Sequence, residues 1–154
     1  DRMEEKNVEP EGYIFAVNGF GLWGAIYGYL GIESDGNTVR GISWYKHGET
    51  PGLGANISNP DWQKNFPGKV IFLEGAGSRN SAPLGITVVR GKVIEVYGDS
   101  KKSHSAVDGM SGATITGNGV TKAYKESLAP YRSFLKGLEK EHLSALSSKK
   151  GGQR

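Results

Sequence analysis

The chain has 154 residues, 24 glycines, no cysteine and a formal net charge of +3, with 36% hydrophobic and 23% charged side chains. That length and apolar content suit one folded domain rather than a disordered chain. The missing cysteines exclude disulfides, thiolate-ligated zinc, iron–sulfur clusters and a cysteine nucleophile within the chain; the glycines follow no collagen period, and no dense Lys/Arg stripe with interleaved aromatics points to nucleic acid.

Residues 1–12 read as a polar segment of mixed charge without a signal-peptide pattern. Residues 13–147 read as the folded domain, and 148–154, with Lys149, Lys150 and Arg154, as a basic solvated tail. Tyr13 to Ile32 carries no formal charge and has the length of a spanning helix. Its glycines, Asn18 and evenly spread aromatics suit buried strands better than a bilayer.

In chain order, residues 13–17 are expected as a strand and Asn18 to Gly21 as a turn. Tyr27–Ile32 and Thr38–Tyr45 are expected as two strands joined through Ser34-Asp35-Gly36-Asn37, an Asp-Gly hairpin signal. A glycine-rich loop, Lys46 to Ser58, precedes Asn59-Pro60-Asp61, which has the chemistry of a helix start: a capping side chain, proline at the first position and an acid near the positive end. Pro67-Gly68 ends that helix early. Val70–Leu73, Leu84–Val89 and Val93–Tyr97 are rich in β-formers. Gly75 to Ser81 and Ser100 to Asp108 read as polar connections. Helical spacing then places Val120, Ala123, Tyr124, Ser127 and Leu128 on one face, and Leu135, Leu138, His142 and Leu146 on a second stripe beyond Pro130. The expected class is α+β: mostly antiparallel strands with a short central helix and C-terminal helices.

Three segments could carry chemistry. Gly19-Phe20-Gly21-Leu22-Trp23-Gly24 matches the dinucleotide pattern G-x-G-x-x-G, but glycines at 28 and 31 and the Asp-Gly turn leave no crossover helix. It reads as a tight turn, or as a glycine turn that lets Trp23 lie against a flat ligand. His47-Gly48-Glu49-Thr50-Pro51-Gly52-Leu53-Gly54 is either a surface loop or a shaped one. In the second case Glu49 and Thr50 would bond the polar edge of a ligand and Leu53 would cover a ring face. Asp108-Gly109-Met110-Ser111-Gly112-Ala113-Thr114 stands directly before the helical run. It is either a capping segment, with Ser111 or Thr114 as the cap, or a phosphate site in which the Thr hydroxyl bears an ester. His47, His104 and His142 form no zinc motif, and Ser111 is in no nucleophile elbow.

Taken together these segments resemble the FMN-binding domain family. Asp108-x-x-Ser111-Gly112-Ala113-Thr114 resembles its D-x-x-[ST]-G-A-T flavinylation motif, and Glu49-Thr50-Pro51-Gly52-Leu53-Gly54 its E-T-P-G-L-G loop. Gly21-Leu22-Trp23 resembles the G-L-W segment of one branch, the C subunit of the bacterial sodium-translocating NADH:quinone oxidoreductases. The three motifs fall in the family's order over about residues 12–128.

The resemblance implies FMN linked covalently through its phosphate to Thr114 by a magnesium-dependent flavin transferase that takes the FMN moiety from FAD. It implies that Asp108, Ser111, Gly112 and Ala113 shape the phosphate site. Leu22, Trp23, Glu49, Thr50, Gly52, Leu53 and Gly54 would frame the isoalloxazine. It further implies an electron carrier that does not bind NADH itself, in a sodium-translocating complex of the bacterial inner membrane, on the periplasmic side and among other subunits. The family's subunit has an N-terminal spanning helix and further soluble sequence ahead of the G-L-W segment; the chain carries neither, so the anchor is expected outside it. Two other readings remain: the FMN-binding G subunit of the related ferredoxin-linked electron-transport complex, and a noncatalytic ligand-binding or assembly module in which Thr114 only caps a helix.

Overall fold

The computed structural model describes residues 11–151; the N-terminal residues 1–10, Arg154 of the expected tail and the side chains of Lys149 and Lys150 lie outside the described part. Three antiparallel strands form one sheet in chain order: β1 (Gly12–Phe20), β2 (Ala25–Glu33) and β3 (Val39–Lys46). A 3-10 turn at Gly54–Ser58 leads to α1 (Pro60–Gln63). Then follow β4 (Thr87–Val88), α2 (Val93–Tyr97), β5 (Ala106–Val107), α3 (Thr114–Leu128) and α4 (Arg132–Gly151). The α+β class is as expected, with one addition: β4 and β5 make a small parallel pair.

Alternation decides which face of the sheet is core. Phe15 and Val17 of β1, Ile26, Leu30 and Ile32 of β2, and Val39 and Trp44 of β3 are buried. Their neighbours Ile14, Phe20, Tyr27, Tyr29 and Tyr45 are exposed, so the uncharged stretch from Tyr13 to Ile32 is half-buried rather than buried. It is two strands, and among the described residues no helix is long and apolar enough to cross a membrane.

The β2–β3 turn is held as its sequence suggests. Asp35 Oδ1 accepts from the amides of Asn37 and Thr38, both at 2.8 Å, and Gly36 takes φ +73°. The β1–β2 turn lies later than expected. Asn18, Gly19 and Phe20 continue β1, and the reversal falls at Gly21–Gly24, closed by Gly21 N–H to the Gly24 carbonyl at 2.8 Å. Pairing of Phe20 with Ala25 across the sheet explains the shift: the ladder runs to the last residue that still has a partner.

α1 starts as expected, with the Asn59 side chain accepting from the Asp61 amide and Pro60 at the first position. The β-rich run Val93–Tyr97 is a helix instead. Glycines with positive φ, Gly91 at +88° and Gly98 at +56°, isolate it from any ladder, and the Asp108 carboxylate accepts from the Val93 amide at its start. With Ile94 and Val96 exposed, its β-branched side chains have no sheet to pack on. Leu84–Val89 is broken by Gly85 at φ +125°, leaving only the two residues of β4. Val70–Leu73 makes isolated bridges, Val70 to Thr38 and Phe72 to Leu84. The polar connection before Asp108 contains a 3-10 turn at Lys101–Ser105 as well as β5.

α3 lies across the inner face of the sheet, and its apolar face matches the expected one: Val120, Ala123, Tyr124 and Leu128 are buried. An aromatic chain fills the space beneath it. Trp62 meets Phe66 at 5.1 Å, Phe66 meets Tyr124 at 5.9 Å, and Tyr124 meets Trp44 at 5.6 Å between ring centroids. The Trp44 indole N–H donates to the Tyr124 hydroxyl at 3.1 Å, so the buried phenol keeps a partner. Burial pushes the Tyr124 pKa far above the usual phenol value. On α4, Leu135 and Leu138 are buried, while Leu146 is exposed, so the second stripe packs only over its first half.

α3 approaches β1 closely because both surfaces are small. A Cβ on Gly19 would stand 2.7 Å from the Ala123 Cβ, and one on Gly119 would strike the Phe20 carbonyl oxygen. Gly119→Ala should therefore lower stability by about 2 kcal/mol or more, since backbone must move. Gly137→Ala on α4, where nothing stands within 4 Å, should raise it by about 0.5 to 1 kcal/mol through helix propensity. Urea unfolding of both variants measures the two signs.

Candidate functional site

The three singled-out segments meet in space. The β1–β2 turn presents Leu22 and Trp23, the loop after β3 presents Thr50, Leu53 and Gly54, and the start of α3 presents Gly112 to Thr116. Together they line a cleft of about 280 Å³. A second cleft, of about 580 Å³, lies beyond Thr114 and is lined in part by Arg90, Lys92, Asp108, Ser111 and Asn118. Gly112, Ala113 and Thr114 line both clefts. Thr114 thus stands on the ridge between a partly aromatic chamber and a basic one.

Trp23 is 67% exposed and Leu53 42%, a large apolar area left in water for turns whose backbones are well fixed. The Trp23 indole N–H donates to Thr50 Oγ1 at 3.0 Å, which sets the plane of the ring. Gly52 takes φ +78° in the turn and lines neither cleft; its part is to reverse the chain so that Leu53 points outward.

Glu49, expected at a ligand's polar edge, lines neither cleft. It is 5% exposed and both carboxylate oxygens are used inside the protein. Oε1 accepts from the Leu22 amide at 2.7 Å and from the Thr116 hydroxyl at 2.7 Å, and Oε2 accepts from the Trp23 amide at 3.1 Å. Burial alone would raise its pKa. The hydrogen bonds from Thr116, Leu22 and Trp23, with His47 nearby, outweigh that and hold it below the ordinary carboxylate value.

The segment before α3 is no ordinary cap. The N-cap position is Ala113, with no side-chain cap bond, so neither Ser111 nor Thr114 caps the helix. Thr114 is the first helical residue and is exposed, at the end where backbone N–H groups lack partners within the helix. Asp108 acts as a brace: its carbonyl accepts from the Trp62 indole at 3.0 Å and its carboxylate from the Val93 amide at 2.8 Å. The three histidines stay apart, and no metal-ligand cluster forms among the described residues. His47 bonds within its own loop, while His104 Nδ1 lies 3.0 Å from Glu74.

Sequence reasoning missed Thr116, Ile115, Arg90, Lys92 and Asn118. The basic pair around Gly91 was visible as Arg-Gly-Lys, but its place on the cleft that Thr114 also lines follows only from the fold. Thr116 could not be read as Glu49's partner, being 67 positions away.

The FMN-binding domain family model matches residues 21–129. The C subunit of the Na(+)-translocating NADH-quinone reductase of Chlamydia muridarum is 56% identical over 137 residues, 87% of this chain and 43% of that protein. The corresponding Vibrio campbellii protein is 47% identical over 107 residues, 70% of this chain and 36% of that protein. The chain therefore spans less than half the length of these curated relatives. Among solved structures, the C subunit of the Parabacteroides distasonis reductase matches with a TM-score of 0.65 and 41% identity, over 80% of this chain and 56% of that one. Shewanella oneidensis NqrC matches at 0.64 and 33%, over 82% and 55%.

The Glu49 network has a pH signature. A depressed folded-state pKa gives stability that is fully present above the ordinary carboxyl value of 4.5 and lost as pH falls below it through the folded value. Glu49→Gln keeps the size but loses the charge and one acceptor. It should cost about 2 kcal/mol at pH 7. Denaturant unfolding at pH 7 and at about pH 3 should show the gap between wild type and variant narrowing in acid.

Proposed function

The chain belongs to the FMN-binding domain family, and from that premise we propose that it carries FMN as a phosphoester on Thr114 and works as the electron-transferring domain of the C subunit in a sodium-translocating NADH:quinone oxidoreductase. The observation that carries the proposal is the place of Thr114: exposed, first in an uncapped helix, and shared by the two clefts. Bound there, the flavin supplies the redox chemistry, and the chain supplies position and electrostatics.

Each part of the site has work to do. The hydroxyl of Thr114 is the point of attachment, made by a magnesium-dependent flavin transferase that takes FMN from FAD and leaves AMP. The free N–H groups of the first turn of α3 and the positive end of its dipole favour the phosphate. Arg90 and Lys92, on the wall of the larger cleft, offer balancing positive charge. A phosphodiester carries one fewer ionisable group than free FMN and a single negative charge, so less positive charge is needed to balance it. Trp23 and Leu53 offer apolar surface to a flat ring, and the Trp23–Thr50 bond holds the indole plane. Electrons would enter and leave through other subunits of the membrane complex, with the domain on the periplasmic side of the inner membrane. The G-L-W segment, Gly21-Leu22-Trp23, favours the quinone reductase over the ferredoxin-linked complex.

Two experiments test this reading. Thr114→Ala, co-expressed with the transferase, should lose all flavin fluorescence on a denaturing gel while keeping wild-type unfolding; a fluorescent band in the variant would end the assignment. Trp23→Ala and Leu53→Ala should keep the covalent flavin and expose its ring. Covering about 100 Å² at about 25 cal/mol per Å² is worth roughly 2.5 kcal/mol. Part of it should appear as a shifted flavin potential and altered quenching. Wild-type values in both variants would place the ring elsewhere.

A further inference from the structure

We propose that His47 is a positioning residue for the loop 47–58: neutral, its ring clasps Glu49 at one end and Ser58 at the other, and protonation opens the clasp and alters the surroundings of the flavin. The consequence for the flavin rests on the function proposed above; the clasp itself does not.

The hydrogen bonds fix the direction of every proton. The Glu49 amide donates to His47 Nδ1 at 3.1 Å. An amide N–H can only donate, so Nδ1 must be bare and the neutral ring must carry its proton on Nε2. Nε2 lies 3.1 Å from Ser58 Oγ, and the Ser58 hydroxyl gives its own proton to the Ala55 carbonyl at 2.8 Å. Ser58 Oγ is thereby left as the acceptor for Nε2–H. The ring joins the end of β3 to the 3-10 turn Gly54–Ser58, closing the loop that brings Thr50, Leu53 and Gly54 to the cleft. Glu49, one bond from the ring, is also the residue that holds the Leu22 and Trp23 amides and Thr116.

An imidazolium has two donors and no acceptor, so a protonated ring faces the Glu49 amide with N–H against N–H. The ring is half-buried, within reach of a solvent proton. The charged groups around it decide where it turns. On β3, Lys46 lies over the Tyr27 ring at 5.5 Å. The 3-10 turn carries no ionisable side chain. On α1, Asp61 pairs with Lys64 at 3.5 Å. On β2, besides Tyr27 and Tyr29, Glu33 faces Arg40 at 4.0 Å. The Glu49 carboxylate is therefore the anion that draws the cation, and the ring would compete for the oxygens that hold Leu22, Trp23 and Thr116.

The test uses the whole chain, first without flavin, followed by ¹⁵N NMR between about pH 5 and 8, the window in which imidazoles change charge. His47→Asn offers a side-chain oxygen near the Nδ1 position and does not titrate; His47→Ala offers nothing. In wild type the high-pH ring should show the Nε2–H tautomer. The Glu49, Leu22 and Trp23 amides should shift with the midpoint of the ring. Protection of the Glu49 amide against exchange, taken relative to its intrinsic rate at each pH, should fall about fivefold on protonation, the factor for one lost hydrogen bond. In His47→Asn these amides should stay at their high-pH positions, and in His47→Ala at their low-pH positions. An Nδ1–H tautomer, or equal titration of these amides in His47→Asn, overturns the proposal. The flavinylated protein should then show a step in fluorescence and midpoint potential at the same pH, absent from His47→Asn. A flavin on Thr114 with no such step also overturns it. If no flavin attaches to Thr114, it is the proposed function that fails, and the NMR arm alone decides the clasp.

Discussion

Taking an ionised carboxylate out of water costs several kcal/mol, and a protein tolerates it only where donors replace the lost hydration. Glu49 is such a group, and its donors come from the β1–β2 turn and from the first turn of α3. Its own residue belongs to a third segment. One charge therefore fixes the mutual position of three pieces that are distant in sequence. The surrounding glycines follow from it. A Cβ on Gly21 would strike the carboxylate, and one on Gly54 would stand 2.5 Å from Thr116 Oγ1 and 3.0 Å from the Glu49 Cβ. The glycine before Leu22 and the one after Leu53 are thus packing requirements of a buried polar knot, more than devices for bending the chain.

The second support is the approach of α3 to β1. Gly19 and Gly119 let the helix lie almost on the strand, and the Ser127 hydroxyl receives the Asn18 amide at 3.1 Å further along. On the far side the Val88 amide donates to Thr121 Oγ1 at 2.9 Å. With the helix axis held at both sides, its first residue has little freedom. Thr114 inherits its position from contacts made further along the helix, at Gly119, Thr121 and Ser127. Packing at Gly119 and the placement of Thr114 are in this sense one problem.

Local rules read well where local chemistry decides the structure. The Asp35–Gly36 turn, the Asn59–Pro60 helix start and the apolar face of α3 were all legible, because each depends on residues a few positions apart. Val93–Tyr97 was misread because β-propensity describes a side chain that finds a sheet, and two glycines and Asp108 deny this run one. The site was legible as three motifs but not as a mechanism of assembly. Glu49 was expected, on the family resemblance, to help frame a flat ring, and only the fold shows its oxygens turned inward. Arg90 and Lys92 line the same cleft as Thr114, next to a parallel pairing too short to leave a pattern in sequence.

The exposed side chains of the site follow from the same division of labour. Trp23 and Leu53 sit on backbones that are fully specified: the Trp23 amide is held by Glu49, the indole by Thr50, and Leu53 N–H bonds the Thr50 carbonyl at 3.0 Å. Ordinarily a large apolar side chain this exposed would be mobile, and binding against it would lose rotamer entropy on the order of 0.5 to 1.5 kcal/mol for each residue stilled. Here the backbones are ordered during folding, that of Trp23 by the Glu49 carboxylate and that of Leu53 by the Thr50 carbonyl. The entropy of ordering these backbones is spent on folding, and what faces outward is apolar area whose burial would be favourable. A buried charge beneath a water-exposed aromatic surface is costly twice over as a fold. Covered by the flavin ring proposed above, the same surface would return part of that cost.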